Sequence, residues 1–175
     1  MTSSSAYQDW FMDHVKTSII NKSFSPLYFT VGLVEESSEL IQSLKQSNTD
    51  NIVSEVGDVL WYLYGLCQSL PDKIVPETEN VDDDEAGDDH DGVVLVPAEQ
   101  LLGVCGALCG SIKKWSRGDK SWEMFQSRVQ QQVSDVVRVV MNLSPVTPEQ
   151  AMRQNIVKIR DRRQRGVVRG DGDNR

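Results

Sequence analysis

Apolar residues recur along most of this chain at three- and four-residue steps, which is the spacing of one face of an α-helix. The pattern predicts six helices, over residues 6–20, 27–46, 51–70, 97–115, 121–143 and 148–163. Pro97 and Pro148 stand at the first helical position, where the missing N–H costs nothing, and Pro71 follows the third helix. No stretch alternates apolar and polar residues as a strand does. The sequence therefore predicts an all-α protein.

The charges of the chain are distributed unevenly. It has 26 acidic and 18 basic residues and a net charge of -8. Nine of the acidic residues lie between Ile74 and Pro97, a stretch without lysine or arginine, so the rest of the chain is close to neutral. Because this stretch is also poor in apolar residues, we expect residues 71–97 to form a mobile acidic insert or linker. The overall charge does not favour nucleic-acid binding.

The sequence predicts an intracellular, cytoplasmic protein with no membrane partner. No apolar run approaches the roughly 18–20 residues that cross a bilayer. The first ten residues lack the basic and apolar regions of a secretory signal. The three cysteines Cys67, Cys105 and Cys109 cannot all pair with one another, and no cluster of cysteine and histidine completes a zinc site.

Two acidic pairs lie on consecutive predicted helices. They are Glu36 with Glu39, and Glu55 with Asp58. Counting about 100° per residue places both pairs beside the apolar stripe of their own helix, at the same angular offset. If the two helices form an antiparallel hairpin, the four carboxylates converge at one edge of the bundle core.

Four carboxylates at this distance repel one another in a low dielectric, so they either hold protons through raised pKa values or bind hard cations. Oxygen ligands suit Mg²⁺, with Mn²⁺ as the alternative, and leave positions for water and a substrate phosphate. This chemistry predicts metal-assisted hydrolysis of a phosphoanhydride. The competing interpretation is two ordinary solvated helix faces, since acidic pairs at this spacing are common.

The two acidic motifs also carry a family resemblance. The run GLVEESSEL that begins at Gly32, followed by EVGDVLWYL from Glu55, resembles the MazG-like all-α nucleoside triphosphate pyrophosphohydrolases. Residues 155–162 (NIVKIRDR) and the glycine-rich end of residues 165–175 are similar to the family's C-terminal NxxKLxxR and GDNR motifs. Where the family usually has GExGE, this chain has EESSE, so the resemblance leaves the base preference open.

The resemblance implies a Mg²⁺-dependent enzyme of nucleotide-pool housekeeping. It would cleave a ribo- or deoxyribonucleoside triphosphate between the α- and β-phosphates and release a nucleoside monophosphate and pyrophosphate. The four carboxylates would hold the metal and carry the catalysis. These residues are Glu36, Glu39, Glu55 and Asp58.

A second, degenerate copy of the motifs follows in the later helices. Residues 101–114 and 132–137 are similar to the two acidic motifs, but Val104, Ala107 and Gln132 replace three of the carboxylates. We infer two tandem MazG-like repeats: a catalytic repeat (1–70), the acidic insert (71–97), a degenerate repeat with the C-terminal helix (98–165) and a basic, glycine-rich tail (166–175). The chain would then be a monomeric pseudo-dimer or a homodimer.

Basic and aromatic side chains are candidates for contact with the nucleotide. The candidates are Lys113, Lys114 and Arg117 of the second repeat, Asn155, Lys158 and Arg162 of the last helix, and Trp61 for the base. The alternatives are solvated basic side chains and an aromatic residue of the core. Two rival functions also stay open: an all-α hydrolase specific for dUTP or dCTP, and a non-catalytic module that senses nucleotides or binds a partner through its acidic loop.

Overall fold

The computed structural model describes residues 26–72, 74, 76 and 97–166, and these residues form helices and connecting turns without a strand. The α-helices are α1 (Pro26–Gln46), α2 (Thr49–Ser69), α3 (Pro97–Ser116), α4 (Gln126–Leu143) and α5 (Pro148–Gln164). The prediction of an all-α protein is confirmed for this part of the chain. None of these helices combines the length and the apolar character that crossing a membrane requires. The predicted helix 6–20, most of the acidic insert and the end of the tail lie outside the described residues.

Four predicted helices agree with the structure to within two residues at each end, but the helix predicted over 121–143 is wrong at its start. The chain first makes a 3₁₀ turn, Trp122–Met124, and α4 begins only at Gln126. Trp122 is buried, and its indole Nε1 donates a hydrogen bond to Asp72 Oδ2 at 2.7 Å. These tertiary contacts of Trp122 outweigh the helical periodicity of the segment.

A tight turn joins α1 to α2. Ser47 has a left-handed conformation (φ 53°), and the N–H groups of Ser47 and Asn48 donate to the carbonyls of Leu44 and Ser43. This Schellman pattern satisfies two of the last carbonyls of α1. The side chain of Asn48 then accepts from the N–H of Asn51 and caps α2. The chain therefore reverses direction within two residues and forms an α-hairpin.

The helices pack as two hairpins with α5 laid against the first. α1 pairs with α2 along most of its length, α3 pairs with α4, α1 also contacts α3, and α5 contacts α2. The largest side chains with less than 2% exposure define the shared core: Tyr64, Leu33, Leu40, Leu60, Leu63, Leu66, Leu101, Leu108, Ile112 and Met152. One apolar core thus connects both hairpins and α5.

Two glycines bring α1 and α2 close together. A Cβ atom at Gly32 would overlap the ring of Tyr62 on α2, and a Cβ atom at Gly65 would overlap the ring of Phe29 on α1. Each ring therefore lies directly on the backbone of the facing helix. This reciprocal packing fixes the register of the hairpin that carries the acidic motifs.

We expect alanine to have opposite effects at two helical glycines. Gly65→Ala should lower the free energy of unfolding by about 1–3 kcal/mol, because Phe29 is only 2% exposed and has no space into which to move. Gly106→Ala on α3 is the matched control. A Cβ atom there meets nothing within 4 Å, so alanine should stabilise by roughly 0.5–1 kcal/mol through its helix propensity. Urea denaturation measures both values, and a change of the same sign in both variants would contradict this packing.

Candidate functional site

Three of the four predicted carboxylates converge. Glu36 and Glu39 lie one turn apart on α1, Glu55 lies on α2, and one oxygen from each lies within 4.8 Å of the others. Glu55 is only 3% exposed, Glu36 is half-buried and Glu39 is exposed. The cluster therefore extends from the core of the hairpin to the solvent, and it is accessible from the side of Glu39.

The electrostatics of the cluster act most strongly on Glu36. Burial, followed by repulsion from Asp58, Glu39 and Glu55, raises the pKa of Glu36 to about 8, while Lys158 acts in the opposite direction. The Glu36 carboxyl therefore holds a proton at neutral pH when no cation is bound. A divalent cation would supply the positive charge that lets it ionise.

The fourth carboxylate, Asp58, is bound by α5. Asn155 Nδ2 donates to Asp58 Oδ1 at 2.7 Å, and Lys158 Nζ donates to Asp58 Oδ2 and, at 2.8 Å, to Ser54 Oγ. Gly57 permits this close approach, because the position of its missing Cβ lies only 3.1 Å from the carbonyl oxygen of Ala151 on α5. Both oxygens of Asp58 are thus engaged by a helix that lies about 100 residues away in the sequence.

The structure brings Asn155 and Lys158, two candidates on the last helix, to Asp58 at the acidic site. Lys158 also contacts Ser54 Oγ on the same helix as Asp58. Arg162, one turn further along α5, is buried with 8% exposure. The sequence indicated the shared helix face of these residues, but it carried no signal for their partner on α2.

The basic candidates on and after α3 lie far from the carboxylates. Cys105 Sγ contacts Ser37 Oγ at 3.4 Å and Cys109 Sγ contacts the Thr30 carbonyl at 3.9 Å, so α3 runs antiparallel to α1. Its last turn, with the exposed Lys113 and Lys114, therefore lies near the start of α1, roughly 20 Å along the helix axis from Glu39.

Arg117 follows that last turn and is engaged elsewhere. Its Nε donates to Asp119 Oδ1 at 2.8 Å, and its side chain is mostly exposed. The structure thus does not bring Lys113, Lys114 or Arg117 to the acidic site. Their contact with the triphosphate stays a prediction that this geometry does not support, because spacing within one helix does not determine the register between helices.

Trp61 belongs to the core. It is 7% exposed, and its ring lies 6.1 Å from that of Phe29 and 4.8 Å from that of Tyr62. Tyr28 and Tyr62 are more accessible, with ring centroids 6.0 Å apart. Burial, and next the nearby Tyr28, raise the pKa of Tyr62, and Glu36 adds to the shift, which places Tyr62 near the acidic site. Sequence periodicity alone did not single out Tyr28.

An α-helical hairpin that gathers carboxylates at the edge of its core defines an all-α acidic centre of the kind that binds hard cations. Residues 24–81 match the family model described as the MazG nucleotide pyrophosphohydrolase domain. The resemblance seen in the sequence is therefore confirmed for this segment, which includes α1, α2 and all four carboxylates and is about a third of the chain. Comparisons with curated proteins and with solved structures gave no significant match.

We expect the free energy of unfolding of the metal-free protein to fall as the pH rises between the ordinary pKa of the Glu36 carboxyl and its pKa in the folded protein. The pKa of its carboxyl is 4.5 as an ordinary value and about 8 in the folded protein, so between these values only the folded state keeps the proton. Unfolding then releases a proton, and this group's contribution should decrease by on the order of 3 kcal/mol between pH 5.5 and 8.

The test is urea denaturation in EDTA at several pH values. Glu36→Gln mimics the protonated carboxyl and should flatten the pH profile relative to the wild type. Glu35→Gln, an exposed neighbour on α1, is the control and should leave the profile unchanged. Parallel profiles for the wild type and Glu36→Gln would show that Glu36 has an ordinary pKa.

Proposed function

We propose that this protein is a Mg²⁺-dependent nucleoside triphosphate pyrophosphohydrolase. It would cleave its substrate between the α- and β-phosphates and release a nucleoside monophosphate and pyrophosphate. The observation that carries the proposal is the convergence of Glu36, Glu39 and Glu55, with Asp58 one turn beyond Glu55, on the hairpin that matches the MazG domain. The donors are carboxylate oxygens, which fit Mg²⁺ or Mn²⁺ and do not fit a soft metal.

The acidic residues would hold the cation and orient the reactants. A bound divalent cation supplies positive charge that polarises phosphate oxygens and acidifies a neighbouring water. Glu36 would be ionised beside such a cation, because the positive charge would offset both the burial of its carboxyl and the repulsion by the other carboxylates. Glu39 lies at the exposed edge of the cluster, where its carboxylate can accept a hydrogen bond from the attacking water.

The surrounding polar residues would bind the rest of the nucleotide. Lys158 is an ammonium donor at the same edge of the hairpin, within reach of phosphate oxygens that approach the acidic cluster. Tyr62 lies near Glu36, and Tyr28 packs against Tyr62 towards the start of α1, so the pair presents aromatic surface that extends away from the cluster and suits stacking with a base. We therefore assign the base contact to this pair in preference to the buried Trp61.

The decisive variant is Glu39→Ala. Glu39 is exposed, so its truncation should leave the fold intact, while the loss of one cluster carboxylate should lower turnover by at least about 100-fold. The measurement is pyrophosphate and orthophosphate release from a panel of ribo- and deoxyribonucleoside triphosphates with Mg²⁺, Mn²⁺ or EDTA.

Glu35→Ala is the matched control for this assay, because Glu35 is an exposed acidic residue of the same helix outside the cluster. It should retain activity to within about three-fold. Pyrophosphate release without orthophosphate, dependent on metal, is the expected result for the wild type. Near-full activity of Glu39→Ala would contradict the assignment.

The same panel separates the rival functions. Activity confined to dUTP or dCTP would favour the specific all-α hydrolase. Nucleotide binding without release of either phosphate product would favour the sensing module. The intact set of four carboxylates favours catalysis, because a copy without activity is expected to lose them, as the later motif copy has at Val104, Ala107 and Gln132.

We also propose that α3 and α4 are a degenerate copy of α1 and α2. Ser37 and Cys105 occupy equivalent positions in the two motif copies, and their side chains meet at 3.4 Å. A contact between equivalent residues is what an approximate two-fold axis between repeats produces. Among the described residues, no second carboxylate cluster accompanies the one on α1 and α2. Asp135, the acidic residue that the second copy keeps, pairs with Arg138 at 2.6 Å.

The proposed division into repeats gives the C-terminal helix a role in the first repeat. α5 follows the second hairpin in the chain, yet it packs on α2 and delivers Asn155 and Lys158 to Asp58. In this view one hairpin supplies the acidic residues and the other half of the chain supplies their polar and basic partners. A single chain would then complete the site as a pseudo-dimer.

A further inference from the structure

Lys158 occupies an unusual place for a residue expected to bind phosphate. Its ammonium group donates hydrogen bonds to Asp58 Oδ2 and to Ser54 Oγ, so α2 holds it on two sides. The side chains of Lys158 and Asp58 are only 20% and 14% exposed. The positive charge is therefore seated at the edge of the acidic cluster and largely shielded from solvent.

Asp58 is outside the group of three mutually close carboxylates, although it is near enough to Glu36 to repel it more strongly than Glu39 or Glu55 does. Oxygens of Glu36, Glu39 and Glu55 lie within 4.8 Å of one another, and this group does not include Asp58. Asp58 Oδ1 accepts from Asn155 and Oδ2 accepts from Lys158. The described contacts thus engage the fourth carboxylate with α5, where it cannot also offer the same lone pairs to a cation.

We propose that Lys158 is a positioning residue that acts as an internal counter-cation and competes with the divalent metal for Asp58. Without metal, its ammonium group balances the charge of Asp58 and holds α5 against the site. A divalent cation at the cluster repels this ammonium group and competes for the same oxygen. The inference rests on the proposed function only in taking the cluster as a metal site, and it holds whichever nucleotide is the substrate.

The surrounding contacts allow Lys158 to leave Asp58 without displacing the helix. Lysine carries a compact charge on a flexible four-carbon stem, so its head group can move while its backbone stays in place. Asn155 keeps a separate hydrogen bond to Asp58 Oδ1, and the buried Ala151 and Met152 anchor α5 in the core. The ammonium group would then be available to phosphate oxygens once the metal is bound.

The experiment measures the affinity of the full chain for Mn²⁺, from the electron paramagnetic resonance signal of free Mn²⁺, with no nucleotide present. Lys158→Met keeps the apolar stem and removes the charge, and it should bind Mn²⁺ about ten-fold more tightly than the wild type. Ser54→Ala removes one of the two described contacts of the ammonium group and should act in the same direction, by about two- to three-fold. A merely structural role for Lys158 would weaken Mn²⁺ binding instead.

Arg153→Met is the matched control, because it removes one positive charge from an exposed position of the same helix. Its affinity should stay within two-fold of the wild type. Helix content and the urea midpoint identify any variant that fails to fold, and in that case Ser54→Ala decides. Unchanged or weaker Mn²⁺ binding in the folded variants overturns the inference, as does an absence of Mn²⁺ binding in all four proteins.

The outcome is separate from that of the proposed function. Tighter Mn²⁺ binding by Lys158→Met, together with no hydrolysis of any nucleotide by the wild type, would support the competition while contradicting the catalytic assignment. Metal-dependent pyrophosphate release with no effect of Lys158→Met on Mn²⁺ affinity would support the catalytic assignment and contradict the competition. Each pair of results therefore assigns the failure to one proposal.

Discussion

The mutual repulsion of four carboxylates at the edge of one helical hairpin is the constraint on which the rest of this structure depends. Such a group is unstable in a low dielectric unless each charge is neutralised, paired or hydrated. Three of the four carboxyl groups are stabilised in different ways: Glu36 keeps a proton, Glu39 lies in solvent, and Asp58 is paired with Lys158. The fold must therefore bring α5 to α2 as well as α1 to α2.

Because of this constraint, the same packing contacts stabilise the bundle and set the positions of the carboxylates. The packing that fixes the α1–α2 register, with Gly32 under Tyr62 and Gly65 under Phe29, also fixes the distance between the carboxylates of the two helices. Gly57 likewise lets α5 approach α2 closely, because a larger residue there would press on the Ala151 carbonyl. Small residues thus determine how closely the carboxylates approach one another. The repulsion between the carboxylates in turn determines how much free energy a bound cation would relieve.

Sequence periodicity predicted the helices and the face on which each acidic pair lies, because both follow from the geometry of a single helix. It did not predict what depends on contacts between distant segments. The turn at Trp122 exists because its indole reaches Asp72, and Lys158 pairs with Asp58 from the far end of the chain. Lys113 and Lys114 carry the positive charge expected of phosphate ligands. The antiparallel course of α3 nevertheless places them near the start of α1, away from Glu39.

The need for charge compensation also explains an asymmetry between the two hairpins, if they are repeats as proposed. A second set of four carboxylates on α3 and α4 would need its own counterpart of α5, yet in the described part of the chain α5 packs on α2. Val104, Ala107 and Gln132 avoid this requirement by being uncharged, and Asp135 is balanced locally by Arg138. One helix such as α5 can supply the counter-charge for one acidic cluster. A fused chain with a single such helix is therefore expected to keep one cluster and to lose the carboxylates of the other.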